Sequence, residues 1–275
     1  MAYNWIDAKN YNMNTLLLFD RWVLRWILND CSAFEWFDNG GRDYKLDMAK
    51  ALYRYPHVAA HCRYKAPECS DFLDKIAAIP NPGWTDEEMR EAETAVLQAQ
   101  ETFVVYAWPE AMNRVDYIRN WDETRLHALV DLRDKVVLDV GAGTGRLTFA
   151  AAKIARRVYA SEPCDRLREY MRDKVKAEGI QNVKVLDGEV MCLPYEDDTF
   201  DVILSGHVVG DFYDEEIAEM SRIVKPGGWL VICNGDDTHR REAADAELIK
   251  RGFEAFGYEN KVGGVIYNYR KQVMK

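Results

Sequence analysis

The sequence predicts an α/β protein in which a parallel sheet, covered on both faces, follows a helical region at residues 1–110. Three observations carry this. After residue 125, short runs rich in Val, Ile and Leu alternate with helical patterns, the arrangement of a parallel sheet with crossover helices. Before that point, apolar residues recur at three- and four-residue steps, one face of a helix. Between the two regimes, VVLDVGAGTG (136–145) reads as a buried strand running into three glycines spaced two apart.

In order along the chain, Leu16, Phe19, Val23, Trp26 and Ile27 define a first helical face within residues 15–28. The NGG at 39–41 marks a break, and PNPGW (80–84) is a turn between helices. TDEE (85–88) fits a capping box, with Thr85 as cap and Glu88 reaching back. The helix it opens is expected to run to Trp108, because Pro109 ends it. Strands are expected at VVLDV (136–140), RVYASE (157–162), VKVLDG (183–188), DVILSG (201–206) and WLVICN (229–234), with Gly179 stopping the helix before the third. The division is therefore 1–110, a helical cap, and 111–275, the sheet domain.

Composition bounds the function. A formal net charge of −10 disfavours phosphate-backbone binding, and KIARR (153–157) is too short a basic run to offset it. Six cysteines in 275 residues do not form a disulfide scaffold. No charged n-region followed by an apolar h-region opens the chain. Asp20, Arg21 and Arg25 interrupt the most apolar early stretch, which is also too short for a bilayer. A cytoplasmic protein without a membrane span is the expectation.

The glycine turn is the strongest chemical signal. Glycine inside a regular element costs about 0.5–1 kcal/mol relative to alanine, so three together point to close approach of a ligand to the backbone. Sheets of this kind bind ligands beyond the carboxyl ends of their strands. Glu162, at the end of the second strand, can accept both hydroxyls of a ribose, in NAD and S-adenosylmethionine (SAM) sites alike. GAGTG departs from the dinucleotide fingerprint because Arg146 stands where its last glycine belongs.

Three further stretches decide between these ligands. DGEVMCLPYEDDTFDVILSG (187–206) and EEIAEMSRIVKPGGWLVI (215–232), following VLDVGAGTG in that order, make residues 122–275 resemble the class I SAM-dependent methyltransferases. The resemblance is to methyltransferase type 11, with the ubiquinone and menaquinone biosynthesis enzymes. It implies a Rossmann-like seven-stranded sheet ending in an antiparallel hairpin, supplied by GFEAFGYEN and VIYNYRKQ. It further implies that Gly141, Gly143 and Gly145 line the methionine part of SAM, with Asp139 ordering the loop. Glu162 would hold the ribose, Glu189 and the Val190 amide the adenine, with Gly188 beside them, and Ser205 the amino acid part. Glu189 stands where the family has Asp. KPGG (225–228) would be the turn before the fifth strand.

Methyl transfer from a sulfonium is an in-line displacement that needs alignment and exclusion of water. A general base is needed only when the nucleophile arrives protonated. His207 and Asp211 follow the fourth strand, where the family builds its acceptor pocket, and are the catalytic candidates; a structural, hydrogen-bonded His207 is the competing reading. Asp236 and Asp237 read as helix-capping acids, with a place in the acceptor pocket as the other reading. Tyr106, Tyr117 and Trp121 precede the sheet and could line the site, where aromatic faces suit a sulfonium; the competing reading, expected for most of these residues, is that they form the core of the helical cap. His57 and His61 share a helix face four residues apart; surface or core packing is the leading reading, a pocket-lining role comes next, and a metal site with Cys62 or Cys69 comes last, so no metal is expected. The expectation is an enzyme that moves a methyl group from SAM, leaving S-adenosylhomocysteine (SAH), to a small molecule enclosed between cap and sheet. A protein or peptide methyltransferase and a non-catalytic SAM-binding sensor are the alternatives.

Overall fold

A computed structural model describes residues 7–29, 40–235, 241–260 and 263–275. The chain divides into two compact units, Met1–Trp108 and Pro109–Lys275.

The first unit is helical: α1 (Arg21–Ile27), α2 (Tyr44–Tyr53), α3 (Pro56–Lys65), α4 (Ser70–Ala77) and α5 (Asp86–Ala99). The expected apolar face is the buried one, since Leu16, Phe19, Val23 and Ile27 are all buried. The backbone, however, is not one helix there. Met13–Leu18 is a 3-10 turn, and the chain is extended at Phe19 and Asp20 before α1 begins. The capping box forms as expected: the Glu88 N–H donates to Thr85 Oγ1 at 3.2 Å and the Thr85 N–H to Glu88 Oε2 at 2.7 Å. The helix it opens stops at Ala99 rather than reaching Trp108, and Glu101–Tyr106 is 3-10. Thr102, Val104 and Val105 are β-branched and resist continuation of the α-helix. Buried polar contacts tie the unit together. Gln100 donates to Tyr44 Oη at 2.7 Å, and Tyr44 donates to the Ile27 carbonyl at 2.9 Å. Asn39 of the NGG break lies outside the described residues; Gly40 and Gly41 have φ of +63° and +75°.

The second unit begins with short helices α6 (Pro109–Met112), α7 (Asp116–Arg119) and α8 (Thr124–Leu129). It continues through β1 (Val136–Val140), α9 (Arg146–Ala152), β2 (Arg157–Ser161), α10 (Asp165–Ala177), β3 (Val183–Leu186), β4 (Phe200–Ser205), α11 (Tyr213–Ile223), β5 (Val224–Ile232), α12 (Ala246–Lys250), β6 (Glu254–Glu259) and β7 (Val265–Gln272). Among the described residues these strands form one seven-stranded sheet, ordered β3-β2-β1-β4-β5-β7-β6. The strands β1 to β5 pair in parallel, and β7 pairs antiparallel with both β5 and β6. Strand order reverses at β1, so a crevice opens between β1 and β4, where such sheets take ligands. Two apolar clusters cover the faces. One includes Leu126, Leu147, Ala151, Met171 and Val158. The other includes Ile203, Ile217, Met220, Leu248 and Tyr269.

KPGG sits inside β5 rather than ahead of it. Its residues bulge between the Phe200–Val224 and Val202–Trp229 pairs, and Gly227 takes φ +77°. A Cβ on Gly228 would stand 2.8 Å from the Asp201 carbonyl, so the sequence is a strand bulge that only glycine passes. Asp236 and Asp237 lie outside the described residues, and α12 takes its cap from Asp245, which accepts the Glu247 and Leu248 N–H groups. No described helix is long and apolar enough to cross a membrane.

Candidate active site

The glycine turn leaves β1 at Val140, which pairs with Ser161 of β2 on one side and Ser205 of β4 on the other. Gly141, Gly143 and Gly145 take φ of +63°, +58° and +90°, the left-handed region that L-residues enter at a cost. Their surroundings differ. A Cβ on Gly141 would lie 2.5 Å from Val208 Cγ2, and one on Gly145 2.4 Å from Phe149 Cε2. Protein packing therefore demands both of those glycines without any ligand. A Cβ on Gly143 would meet only Met112, with Sδ at 3.1 Å, so Gly143 is the glycine whose bare backbone faces a flexible neighbour.

Two buried acids hold the turn. Asp139 in β1 accepts from Thr148 Oγ1 at 2.6 Å, which fixes the first turn of α9 to the strand. Burial pushes its carboxyl up to about 6, against the pull of the Thr148 hydrogen bond. Glu162, one residue beyond β2, accepts the Gly143 N–H at 2.8 Å through Oε2 and the Cys164 N–H at 3.0 Å through Oε1. Burial raises it to about 7 despite those two amides. Each carboxylate oxygen has a second lone-pair direction, so Glu162 can brace the turn and still accept a diol.

After β3, Gly188 is buried, and a Cβ there would stand 2.9 Å from Ser161 Oγ. That hydroxyl pairs with Tyr195 Oη at 2.7 Å. Glu189 is half-buried, and its carbonyl accepts the Cys192 N–H at 2.9 Å. Val190 packs against the cluster containing Ile203 and Leu193. Ser205, at the end of β4, is buried; its Oγ has no hydrogen-bond partner and its carbonyl accepts the Cys233 N–H at 2.8 Å.

The loop after β4 is held from the far strands. His207 has φ +60°. Its N–H donates to Asn234 Oδ1 at 3.2 Å, and its Nε2 accepts the Gly235 N–H at 3.0 Å. Asn234 is itself fixed by β7: its N–H donates to Asn268 Oδ1 at 2.9 Å and its Nδ2 to the Tyr267 carbonyl at 3.0 Å. The Tyr117 ring lies 4.3 Å from the His207 ring. A Cβ on Gly235 would collide with the Tyr117 carbonyl at 1.8 Å. Asp211, on the same loop, is raised above the usual carboxylate range by desolvation.

The structure thus gathers Asp139, the three glycines, Glu162, Gly188, Glu189, Val190, Ser205, His207, Tyr117 and Trp121 within the second unit, at and beyond the carboxyl ends of the strands. His57, His61 and Tyr106 belong to the first. His57 Nε2 pairs with Asn14 Oδ1 at 2.7 Å, and Tyr106 stacks edge-on to Trp22 at 5.0 Å. Among the described residues no three His, Cys, Asp or Glu side chains converge as metal ligands.

Sequence reasoning passes over one residue. Arg146, noted only for replacing a glycine, sends Nη2 to the Cys233 carbonyl at 2.9 Å and stacks 4.7 Å from the Trp121 ring centre. Burial pulls its pKa below the ordinary guanidinium value. A basic residue directly after the glycine turn was the signal available.

The donor set fits a nucleoside with an amino acid tail: a buried carboxylate for a diol, a bare glycine backbone and a buried serine at the crevice. Residues 138–232 match a family model described as a methyltransferase domain. The chain is 31% identical over 137 residues to an uncharacterized methyltransferase of Anoxybacillus flavithermus, covering 48% of this chain and 62% of that protein. It is 31% identical over 132 residues to a demethylmenaquinone methyltransferase of Geobacillus stearothermophilus, covering 45% and 56%. It thus spans less than two thirds of either relative. A crystal structure of a SAM-dependent methyltransferase from Aquifex aeolicus superposes with a TM-score of 0.50 at 21% identity, covering 62% of this chain and 98% of that one.

Proposed function

We propose that the protein is a class I SAM-dependent methyltransferase that transfers a methyl group from SAM to a small-molecule acceptor, a reading that the methyltransferase-domain match over residues 138–232 supports. The observation that carries this is Glu162, a buried carboxylate that braces Gly143 at the carboxyl end of β2 and keeps lone pairs for a ribose diol. In this reading Glu162 holds the ribose, Gly188, Glu189 and Val190 the adenine, and Gly143 and Ser205 the amino acid part, with Asp139 ordering the turn. SAM supplies an electrophilic methyl on a sulfonium. The protein's share is to align the acceptor with that methyl and exclude water. Tyr117 offers the site an aromatic face that favours a cation, and Trp121, which carries the Arg146 guanidinium on its ring, is assigned to the wall beside it. His207 and Asp211 are assigned the proton of an acceptor that arrives protonated, His207 only once its Nε2 is released from the Gly235 N–H it accepts. The demethylmenaquinone methyltransferase relative supports a small organic acceptor. Residues Met1–Trp108, which lie outside the matched family region, are assigned to acceptor selection, with His57, His61 and Tyr106 as their candidate contacts.

Calorimetric titration with SAM and with NADH, followed by transfer of labelled methyl into small-molecule and protein pools, tests the reading. Binding of SAM with label in the small-molecule pool is expected. Label confined to the protein pool would favour a protein or peptide methyltransferase. SAM binding without transfer would favour a sensor, and NADH binding alone would overturn the cofactor.

A further inference from the structure

Glu162 stands one residue beyond β2, and its N–H donates to the Leu186 carbonyl at the end of β3 at 3.2 Å. Past that rung the chain enters Pro163 on one side, which has no N–H to donate. On the other side it enters Asp187, Gly188 and Glu189. One guanidinium from α10 bridges the two. Arg168 Nη1 donates to the Glu162 carbonyl at 2.7 Å and to Asp187 Oδ1 at 3.1 Å. The Arg168 side chain is 13% exposed and that of Asp187 77%. The ion pair is therefore open to water and weak in itself, and the shielded bond to the carbonyl is the firmer of the two.

A second arginine gives the comparison. Arg172 lies four residues on, on the same face of α10, and its Nη2 donates to the Val185 carbonyl at 3.0 Å. With Leu167 and Met171 buried, the two arginines fasten α10 to the sheet one turn apart. They differ in what lies beyond the carbonyl. Val185 is inside β3, whereas Glu162 is the acid to which the ribose is assigned.

Arg168 also acts on the Glu162 carboxyl through space. That carboxyl is faced by the Gly143 N–H of the glycine turn, by the Cys164 N–H and thiol ahead of α10, and by the Arg168 charge from α10 itself. Arg168 favours the ionised form against the burial that pushes the group up to about 7. The other polar groups nearby are engaged. Asp139 of β1 accepts from Thr148, the Tyr195 hydroxyl pairs with Ser161 of β2, and Asp187 pairs with Arg168.

We propose that Arg168 is a positioning residue for the cofactor's ribose: by tying the Glu162 carbonyl to Asp187, it fixes where the Glu162 side chain meets the diol and how far that acid stands from the Gly188–Glu189 loop. The proposal rests on the SAM reading. Arg168 touches no ligand in it, and acts through Glu162 and Asp187 alone.

Calorimetric titration with SAH between pH 5.5 and 8.5 tests this on the full chain as wild type, Arg168→Met, Arg168→Lys and Arg172→Met. Removing a cation beside a carboxylate raises its pKa, so the pH at which affinity begins to fall should move up by about half a unit in Arg168→Met. Its affinity on the high-pH plateau should be several-fold weaker as well. Lysine keeps the charge but ends one bond short of the Nη1 position and has no fork. Arg168→Lys should therefore restore the wild-type midpoint and leave the plateau weakened. Arg172→Met loses an equivalent bond to the sheet and should keep both the wild-type midpoint and the wild-type plateau, with only its urea midpoint lowered. Equal behaviour of Arg168→Met and Arg172→Met would make Arg168 a structural fastening and overturn the proposal. A shifted midpoint on an unchanged plateau would report charge alone, and would overturn it too. If Arg168→Met does not fold, Arg168→Lys decides: a wild-type plateau there refutes positioning. Wild type that binds no SAH overturns the SAM reading and the proposal with it, whereas normal wild-type binding with unaltered variants overturns the proposal alone.

Discussion

If Glu162 holds the ribose as proposed, it makes the cofactor site a proton-linked one. Its carboxyl rests at about 7 because burial outweighs the two amides that favour the charged form. In the folded protein near neutral pH, protonated and ionised forms coexist. A ribose diol donates both its hydroxyls, and with Gly143 and Cys164 already donating to one oxygen each, the site accepts the diol fully only when ionised. Ligand binding therefore releases a proton whenever pH lies below about 7. The expected result is SAH affinity that is flat above 7 and weakens about tenfold for each pH unit below it. The sign for folding is separate. A carboxylate whose folded pKa is raised keeps its proton while the unfolded chain has lost it. Stability therefore falls as pH rises from the ordinary carboxylate range to about 7, by at most about 1.4 kcal/mol per unit. Glu162→Gln removes the titration, so its SAH affinity is weaker at pH 8 and independent of pH. Calorimetry at half-unit steps from pH 5.5 to 8.5 on both proteins measures this. A flat wild-type profile, or an equal slope in Glu162→Gln, would falsify the assignment of the ribose to this residue.

Gly145→Ala places a methyl 2.4 Å from Phe149 at φ +90°. It should lower stability by about 2–4 kcal/mol with or without SAH, and an unchanged denaturant midpoint would count against the packing account. Gly143→Ala meets only the flexible Met112 sulfur, so its loss should appear in SAH affinity more than in the apo melting curve; the reverse pattern would make Gly143 a structural glycine. His207→Asn keeps a residue tolerant of positive φ. Cofactor affinity should hold while methyl transfer falls about 100-fold or more, and an unchanged rate would leave His207 only its hydrogen bonds to Asn234 and Gly235. Thr85→Ala removes the capping box of α5 and should cost about 1 kcal/mol in urea unfolding, leaving SAH binding untouched.

Much of the second unit was legible because its signals are local. Strands β1 and β4 are short apolar runs, Gly179 takes φ +64° as a helix stop, and Glu162 directly follows its strand. The deviations arise where a local pattern meets a longer-range demand. The period of residues 15–28 identified the buried face but not the extended break at Phe19 and Asp20, because a 3-10 turn followed by a helix buries nearly the same set. KPGG reads as a turn on its own and becomes a bulge only through pairing with β4. Arg146 and the Trp121 ring it stacks on lie 25 residues apart in sequence, and no spacing rule brings them together.

The position of β7 sets an order of assembly. Although it comes last among the strands, it lies between β5 and β6, and its Asn268 and Tyr267 fix the Asn234 that holds the His207 backbone. A nascent chain that has emerged only through β5 can form the parallel half of the sheet and the glycine turn. It still presents an unpaired edge along β5, open to pairing with another chain. The glycine turn and the His207 loop should therefore mature at different times, the loop last. A polypeptide truncated before Val265 should aggregate through β5 rather than persist as a weaker enzyme.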